Sequence, residues 1–504
     1  MNFVKKYIIA HDLGTRGNKA SLLDLRGNIL SSFFRGYDVI YPKPNWAEQD
    51  PKVWWNAIVE STNRLIEETK VSENEIGAIT FSAQMSGTLP VDKNGEPLMN
   101  AMIWLDSRAK DVLEDFLNPV RELRIFQITG GLPGPKDILS KILWIEKHRE
   151  DIWRETYKFL DCKDYLVYRT TGNFVTSRDC ASASWMLDSR PGKMDWSPTI
   201  LGWMELSKDK LPEVKKSTDI VGHLTKEAAR EMNLNEGIPV VNGAGDVGSA
   251  TVGSGAVGIG DVHLYVGTSG WLVSPVKNRT TSIKYYLGSI LSADPEKYNI
   301  VGEQEVAGEA YKWFQENVFE HYDYRKMDEL AAKAPPGSKK LIFLPWMFGE
   351  RSPLNDSTIR GGFFNLSLEH GKEELLRAVM EGVAYHVRWI LEGLQKLIGE
   401  VREINIIGGG GNSDVWCQIF SDVTGKKINQ VERPQEATSR GAGLIAAVAL
   451  GVYKNFEEIK SYVPIKKVFV PQKNREIYDE LYPVFKTLYR LHAPLAKKLN
   501  KNKG

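Results

Sequence analysis

Cysteine is scarce in this chain: three in 504 residues, Cys162, Cys180 and Cys417, spaced too widely for a disulfide frame or a zinc-binding set. They read as reduced thiols of a cytosolic protein. Long apolar runs are also missing. The longest fall short of the ~20 residues that a bilayer-crossing helix needs, and MNFVKKYIIAHDLG has no cleavage region before Asp12, so no membrane association is expected. No charge of one sign dominates. Lys and Arg number 65 against 64 Asp and Glu, a net charge of +1, which argues against a nucleic-acid partner. The pattern GxxxxGK[ST] occurs nowhere, so a P-loop is excluded. Any bound anion must be held by backbone amides and individually placed side chains.

What the chain has is glycine, 44 of them, gathered in loops. At this length at least two domains are expected, because single cores stop growing near ~250–300 residues. An apolar strand from Tyr7 to Ala10 leads into the turn HDLGTRGNKA, then a second strand from Ala20 to Leu25 and a third through Phe33 and Phe34. Helical spacing of Trp54, Trp55, Ile58, Val59, Leu65 and Ile66 predicts a helix over 51–68, and IGAITFSA (76–83) a buried strand. Near residue 260 the opening pattern recurs in GDVHLYVGTSGWLVSPVKN, which suggests an internal duplication. A long helix is predicted over 372–398 and a small-residue helix over 437–451, and the basic tail KKLNKNKG is expected to fray. The predicted division is 1–250, 251–490 and a tail 491–504, with the junction in the glycine-rich zone near 245–260.

The telling stretch is IPVVNGAGDVGSATVGSG (238–255). GAGDVG and GSGAVG both match G-x-G-x-x-G, but a dinucleotide site needs an acid at the end of the next strand, and that strand ends in Gly-Thr-Ser. Asp246 inside the first match is instead a candidate catalytic base among glycines that admit a ligand. Three further loops follow apolar strands. Asp12-Leu13-Gly14-Thr15 offers a carboxylate for a metal shell and a hydroxyl. Gly267-Thr268-Ser269-Gly270 offers hydroxyls and amides to phosphate oxygens. Gly408 to Gly411, ahead of a helix starting near Ser413, brings amides and a positive helix end together.

Taken in order, DLGT, the Asp-bearing glycine stretch, GTSG, GERSPLND, EGVAYHVRWILE and GGGGNSDVWCQIFSDVTG resemble the FGGY family of carbohydrate kinases over nearly the whole chain. Within that family QMSG (84–87), PLMNAMIWLDSRA (97–109) and TSRDCASASWMLD (176–188) are most similar to the branch acting on xylulose. The resemblance implies an α/β fold of two actin-like, ribonuclease H-like domains with a deep cleft between them, closing over a sugar and ATP with Mg²⁺. It implies a sugar site in the first domain, at Gln84, Met85, Ser86, Trp104, Asp106, Arg108 and Asp246. It places the nucleotide on Thr15, Arg16, Gly267, Thr268, Ser269, Gly409, Gly410, Gly411 and Asn412, mainly in the second domain, and the metal on Asp12. A homodimer is also within the family's precedent.

The chain departs from the branch pattern on the sugar side. Ser86 replaces a usual His, Ser177 a usual Asp (with Asp179 two residues on), and Ile138 a small residue ahead of the retained Lys141 and Trp144. The expected chemistry is proton removal from a sugar hydroxyl by Asp246 during in-line phosphoryl transfer. Plainer roles stand beside these. Asp106 and Arg108 could be a surface ion pair, Trp104 could be core, His11 a packed histidine, and Glu350 and Arg351 loop stabilisers. Asp414 and Asp422 read as a helix N-terminal charge and a solvated face. The alternatives are a kinase for another ketopentose or polyol, an ATPase of the actin or heat-shock type without a small substrate, and a catalytically silent sugar-binding regulator.

Overall fold

The computed structural model describes residues 5–500. The first half opens on three antiparallel strands, β1 (Tyr7–Gly14), β2 (Gly17–Asp24) and β3 (Ile29–Gly36). Helix α1 (Pro51–Thr69) follows. The Asp50 carboxylate accepts the Lys52 N–H, Pro51 fills the first turn, and a face of Trp54, Trp55, Ile58 and Leu65 is buried. Strand β4 (Ile76–Ala83) is buried at every position, Thr80 and Ser82 included, as its mainly apolar sequence suits a strand covered on both faces. Further along, among other helices and short strands, come helices α2 (Ile138–His148) and α3 (Arg178–Ala183), then β5 (Ile220–His223), β6 (Pro239–Gly245) and α4 (Asp246–Gly253). The sheet order is β5-β6-β4-β1-β2-β3.

The second half contains β7 (His263–Val266), β8 (Gly270–Val276), β9 (Gly288–Leu291), β10 (Tyr298–Gln304), α5 (Gly308–Asn317) and the long α6 (Lys372–Ile398). These are followed by β11 (Glu403–Ile407), α7 (Asp414–Thr424), β12 (Lys427–Val431), α8 (Ala437–Ala449), β13 (Ile465–Phe469) and α9 (Arg475–Asn500). Their sheet runs β9-β10-β8-β7-β11-β12-β13. From β3 inward, the first sheet pairs antiparallel, antiparallel, parallel, parallel, antiparallel. From β10 the second sheet does the same. Both halves also open on a hairpin closed by Gly-Thr-x-Gly, Gly14–Gly17 and Gly267–Gly270. The fold is therefore a repeated α/β unit, the actin-like pair of ribonuclease H-like domains expected from the sequence.

Helices α4 and α8 occupy equivalent places, each after the third parallel strand of its sheet. They cross in backbone contact. A Cβ on Gly253 would stand 1.7 Å from the Ala437 carbonyl oxygen, and one on Gly441 1.8 Å from that of Ser249. Around the crossing, Ile8, Ala78 and Val241 of the first sheet share one apolar cluster with Ile407, Val431, Leu444 and Ile445 of the second half.

Several local expectations are corrected. The first turn is far shorter than HDLGTRGNKA, because β1 and β2 pair as far as Gly14 and Gly17, so Asp12 lies on a strand. Asp246 lies at the first position of a helix and not inside a glycine turn. The basic tail is helical through Asn500, and residues 501–504 lie outside the described residues. Asp422 is buried at 1% exposure, where it accepts the Gln472 N–H at 2.7 Å and anchors the entry to α9, so it is no solvated face.

The crossing gives a direct test. Gly441→Ala forces a methyl group into the Ser249 carbonyl and is expected to destabilise by at least about 1–3 kcal/mol, as overpacked cores do. Gly202→Ala, where nothing lies within 4 Å, serves as control and is expected within about 0.5 kcal/mol of the parent. Urea unfolding of both variants measures the difference.

Candidate active site

Asp12 and Asp246 lie near each other, both partly exposed, where the parallel strands of the first sheet end. Asp12 pairs in register with Lys19 on β2 and Ser82 on β4, which places its carboxylate where the parallel strands end. Asp246 is aimed by an irregularity in β6. The register shifts between Val241 and Ala244, and Gly243 takes φ +70° with its α-carbon so close to β4 that a Cβ would lie 2.0 Å from the Phe81 oxygen. Beyond it the chain turns into α4, and one Asp246 oxygen accepts the Val247 N–H at 2.8 Å.

Electrostatics mark both groups. Burial raises the Asp246 pKa to about 8, the neighbouring Asp12 charge adds to this, and the Val247 N–H opposes it. Burial raises Asp12 to about 6 against the pull of Lys19 and Ser82. Tyr265, at the end of β7 in the other half, has its phenol pushed up by burial and then by Asp12 and Asp246. It therefore lies within electrostatic reach of both carboxylates, with its ring stacked on Trp271 at 3.9 Å between centroids.

One side wall is built from the QMSG loop and the strand-turn after residue 100. Trp104 donates its indole N–H to the Thr15 hydroxyl (2.8 Å), which donates to Gln84 Oε1 (3.1 Å), and Gln84 Nε2 donates to Gln49 (2.8 Å). Gln84 is thus buried with both ends of its amide engaged, and the Thr15 hydroxyl serves this chain of bonds. Lys141, fully buried with its pKa lowered to about 8 by desolvation, donates to the Ser86 and Ile103 carbonyls at 2.7 and 2.8 Å. It ties Ser86, which sits at φ +61°, to the strand that presents Trp104. Met85 is apolar packing. It lies in the space left by the absent side chain of Gly245, 2.5 Å from where a Cβ would be.

Asp106 and Arg108 are neither a surface pair nor open to the cleft. Asp106 is 0% exposed, and its oxygens accept the Ala47 N–H (2.7 Å) and the Arg108 guanidinium (2.6 Å). Arg108 also reaches Glu48 at 2.7 Å and lies 3.5 Å over the Trp46 ring, whose edge-on neighbour Trp144 is 5.1 Å from the same guanidinium. This buried cluster sets the turn that carries Trp104. Trp104 itself is not core. It is partly exposed, and the Lys136 ammonium stands 5.7 Å over its ring.

Lys136 pairs with Glu305 at 3.3 Å, so it links the first half to the second. Burial works against the Glu305 charge, yet Arg351 and Lys136 hold its pKa down to about 2. Arg351 pairs with Glu305 (2.7 Å) and with Glu303, while Glu350 accepts the Glu305 and Arg351 N–H groups (2.8 and 2.9 Å) and stays buried. Arg16 makes a second link across the cleft, to Glu309 at 3.0 Å. Nothing in the sequence pattern around Lys136, Glu303, Glu305 or Tyr265 had singled them out, since each gains its role from a partner in another segment. His11 is packed as expected, between Asn18 and Thr62 and stacked on Phe81.

Opposite the carboxylates lie the two amide loops. Gly267 and Thr268 carbonyls accept N–H groups of Gly308, Ala307 and Glu309, which pins the hairpin tip to the start of α5 and leaves Thr268 exposed and Ser269 partly so. Gly409–Asn412 forms a short 3-10 turn ahead of α7, capped by the Ser413 hydroxyl on the Trp416 N–H. Gly408, at φ +84°, and Gly410 lie against Val266, so this turn adjoins the Gly267 loop. Asp414 opens α7 as an N-terminal charge paired with Lys467 at 2.7 Å.

The raised carboxylates have a measurable consequence. Aspartate in an unfolded chain titrates near ~4, whereas these bind protons in the fold up to about 6 and about 8. The folded state therefore holds more protons across that window, and stability is lost as pH rises from about 4 to about 8. Asp246→Asn removes the larger contribution. Its melting temperature is expected to rise above the parent's by several degrees at pH 8.5 and to match it at pH 4, read by ligand-free scanning fluorimetry. Equal melting at pH 8.5 would contradict the raised proton affinity.

Comparison with known proteins agrees with this arrangement. The N-terminal domain of the FGGY family of carbohydrate kinases matches residues 7–253, and its C-terminal domain residues 263–450. A xylulose kinase of Staphylococcus epidermidis is 30% identical over 494 residues, 97% of each chain. The crystal structure of a ligand-bound xylulose kinase from Lactobacillus acidophilus superimposes with a TM-score of 0.90 at 28% identity, covering 98% of this chain and 100% of the other. A gluconate kinase from the same organism gives 0.89 at 28% identity, covering 98% and 99%. With two matched domains that take in the carboxylate pair and both amide loops, the chain belongs to the FGGY family of carbohydrate kinases.

Proposed function

We infer that the protein transfers the γ-phosphoryl group of ATP to a hydroxyl of a ketopentose, D-xylulose in the first instance, with Asp246 as general base. The observation that supports this most is Asp246 itself. It is a carboxylate at a helix start, facing the cleft, with its pKa raised to about 8, which suits a base working near neutral pH. The xylulose kinases among the relatives support the choice of sugar. On this reading residues 1–250 carry the sugar and the base, 251–490 the nucleotide, and the buried free thiols fit a cytosolic enzyme.

Each side has a task. Trp104 offers an aromatic face to the C–H side of the sugar, and Ser86 a hydroxyl at the loop held by Lys141. Lys136, already paired with Glu305, is not a free cation awaiting a carboxylate, which favours a neutral sugar over an aldonate. Asp246 accepts the proton of the attacking hydroxyl. Thr268, Ser269 and the amides of Gly267 and Gly409–Asn412 hold phosphate oxygens, and Arg16 exchanges Glu309 for phosphate. Closure of the halves excludes water and so limits hydrolysis.

The donor chemistry fits Mg²⁺. The Asp12 carboxylate lies near enough to Asp246 to raise it, and a hard cation with few protein ligands and several waters suits such a pair. Asp12 would hold the ion, whose chemistry is to neutralise phosphate charge as transfer proceeds.

Asp246→Asn is expected to leave sugar and ATP binding in place by calorimetry and to lower phosphoryl transfer at least ~10²-fold. Near-normal turnover removes Asp246 from the mechanism. The sugar is tested by ADP release across D-xylulose, L-xylulose, D-ribulose, erythritol, glycerol and gluconate. The highest kcat/KM is expected with D-xylulose, and a higher value with gluconate overturns the choice.

A further inference from the structure

We propose that Asp179 is a positioning residue for Asp246, holding by one backbone hydrogen bond the joint from which the base projects. Asp179 is completely buried in the first turn of α3. One of its carboxylate oxygens accepts the Gly245 N–H at 2.7 Å, and the other accepts the Ser217 hydroxyl at 3.1 Å. Gly245 is the last residue of β6, and Asp246 is the first of α4. The bond thus fixes the Ala244–Gly245 peptide plane, one residue ahead of the base.

Three features make this contact specific. The Gly245 N–H opens a helix and has no partner within that helix, so the carboxylate supplies the acceptor that the fold does not. Gly248, one turn further on, has no side chain because a Cβ there would stand 3.0 Å from the same Asp179 oxygen. Asp179 is therefore wedged between the strand end and the first turn of α4. Its countercharge lies in the same interior. Lys163, also buried, has its charge favoured by Asp164 and by Asp179, and donates to Asn242 at 3.1 Å, three residues upstream of Gly245 on β6. The hydroxyl of Ser177, two residues before Asp179, is buried without a hydrogen-bond partner, so the bond to Gly245 comes from position 179 and not from its neighbour.

The role is geometric. Asp179 is absent from the charges that raise Asp246, which are Asp12, Glu303 and Asp161. Removing the bond leaves the base chemically intact and free to swing. A reacting group displaced by about 1 Å can cost ~10²-fold in rate. The inference rests on the reading of Asp246 as general base, and Asp246→Asn, assayed alongside, tests that reading separately.

Asp179→Ala is expected to lower kcat at least tenfold per ligand-binding site, with the KM values for sugar and ATP within about threefold of the parent. Asp179→Asn keeps an acceptor oxygen for Gly245 and is expected to retain kcat within about threefold. Hydrogen exchange of the 239–253 peptide should quicken in the Ala variant and not in the Asn variant. If Asp179→Ala does not fold, Gly248→Ala presses on the same oxygen from the other side and is expected to lower kcat at least fivefold with KM kept. The proposal is overturned if Asp179→Ala folds and retains parental kcat per binding site. It is equally overturned if Asn is as damaging as Ala, or if Gly248→Ala folds with parental kcat when Asp179→Ala does not fold. Loss of turnover in Asp246→Asn with parental kcat in Asp179→Ala rejects the positioning role alone.

Discussion

Two helices touching backbone to backbone hold this molecule's halves in relation. Gly253 and Gly441 leave no room for a methyl group at the α4–α8 crossing, so the distance between helix axes is set by peptide atoms and not by compressible side chains. Each helix leaves one sheet at its third parallel strand. The apolar cluster around the crossing draws from both sheets at once. Asp246 begins one of these two helices. Any change in the angle between the halves is therefore felt at Asp246, and any shift of Asp246 is resisted by the interface.

The cleft built on this crossing concentrates unfavourable charge. Burial raises both Asp12 and Asp246, and the Asp12 charge raises Asp246 further; such strain is retained in proteins where activity needs it. The surrounding residues offset it by rigidity. Lys141 fastens the Ser86 loop to the Trp104 strand through three carbonyls. Arg108, packed on the Trp46–Trp144 pair, fixes the turn beyond it. The Lys136–Glu305 and Arg16–Glu309 pairs join the two sides at the mouth.

What was legible in the sequence were the glycine loops, the acid among them and the repeated hairpin. Glycine at close approach has no substitute, so GTSG, GGGG and GAGD announce themselves. The polar residues expected to bind sugar were harder to read. Gln84, Asp106 and Arg108 have the chemistry of sugar ligands, yet their groups are engaged by Gln49, Ala47 and Glu48, dozens of positions away along the chain. Identical residue types build binding sites and buried networks, and only the partner decides between them. Lys136 and Glu305 were missed for the same reason, since neither half of an ion pair between domains carries a local pattern. Asp179 lay beside a vacant expected position, and its meaning came only from the amide of Gly245.

The two Gly-Thr-x-Gly hairpins face each other as copies, and superposing their sequences brings Asp12 onto Tyr265. One copy ends in an acid that takes protons, the other in a phenol whose proton is held fast by burial. A duplicated unit would by symmetry present the same chemistry to both ends of a ligand. This single exchange of residue breaks that equivalence, so the two hairpins present an acid on one side and a phenol on the other.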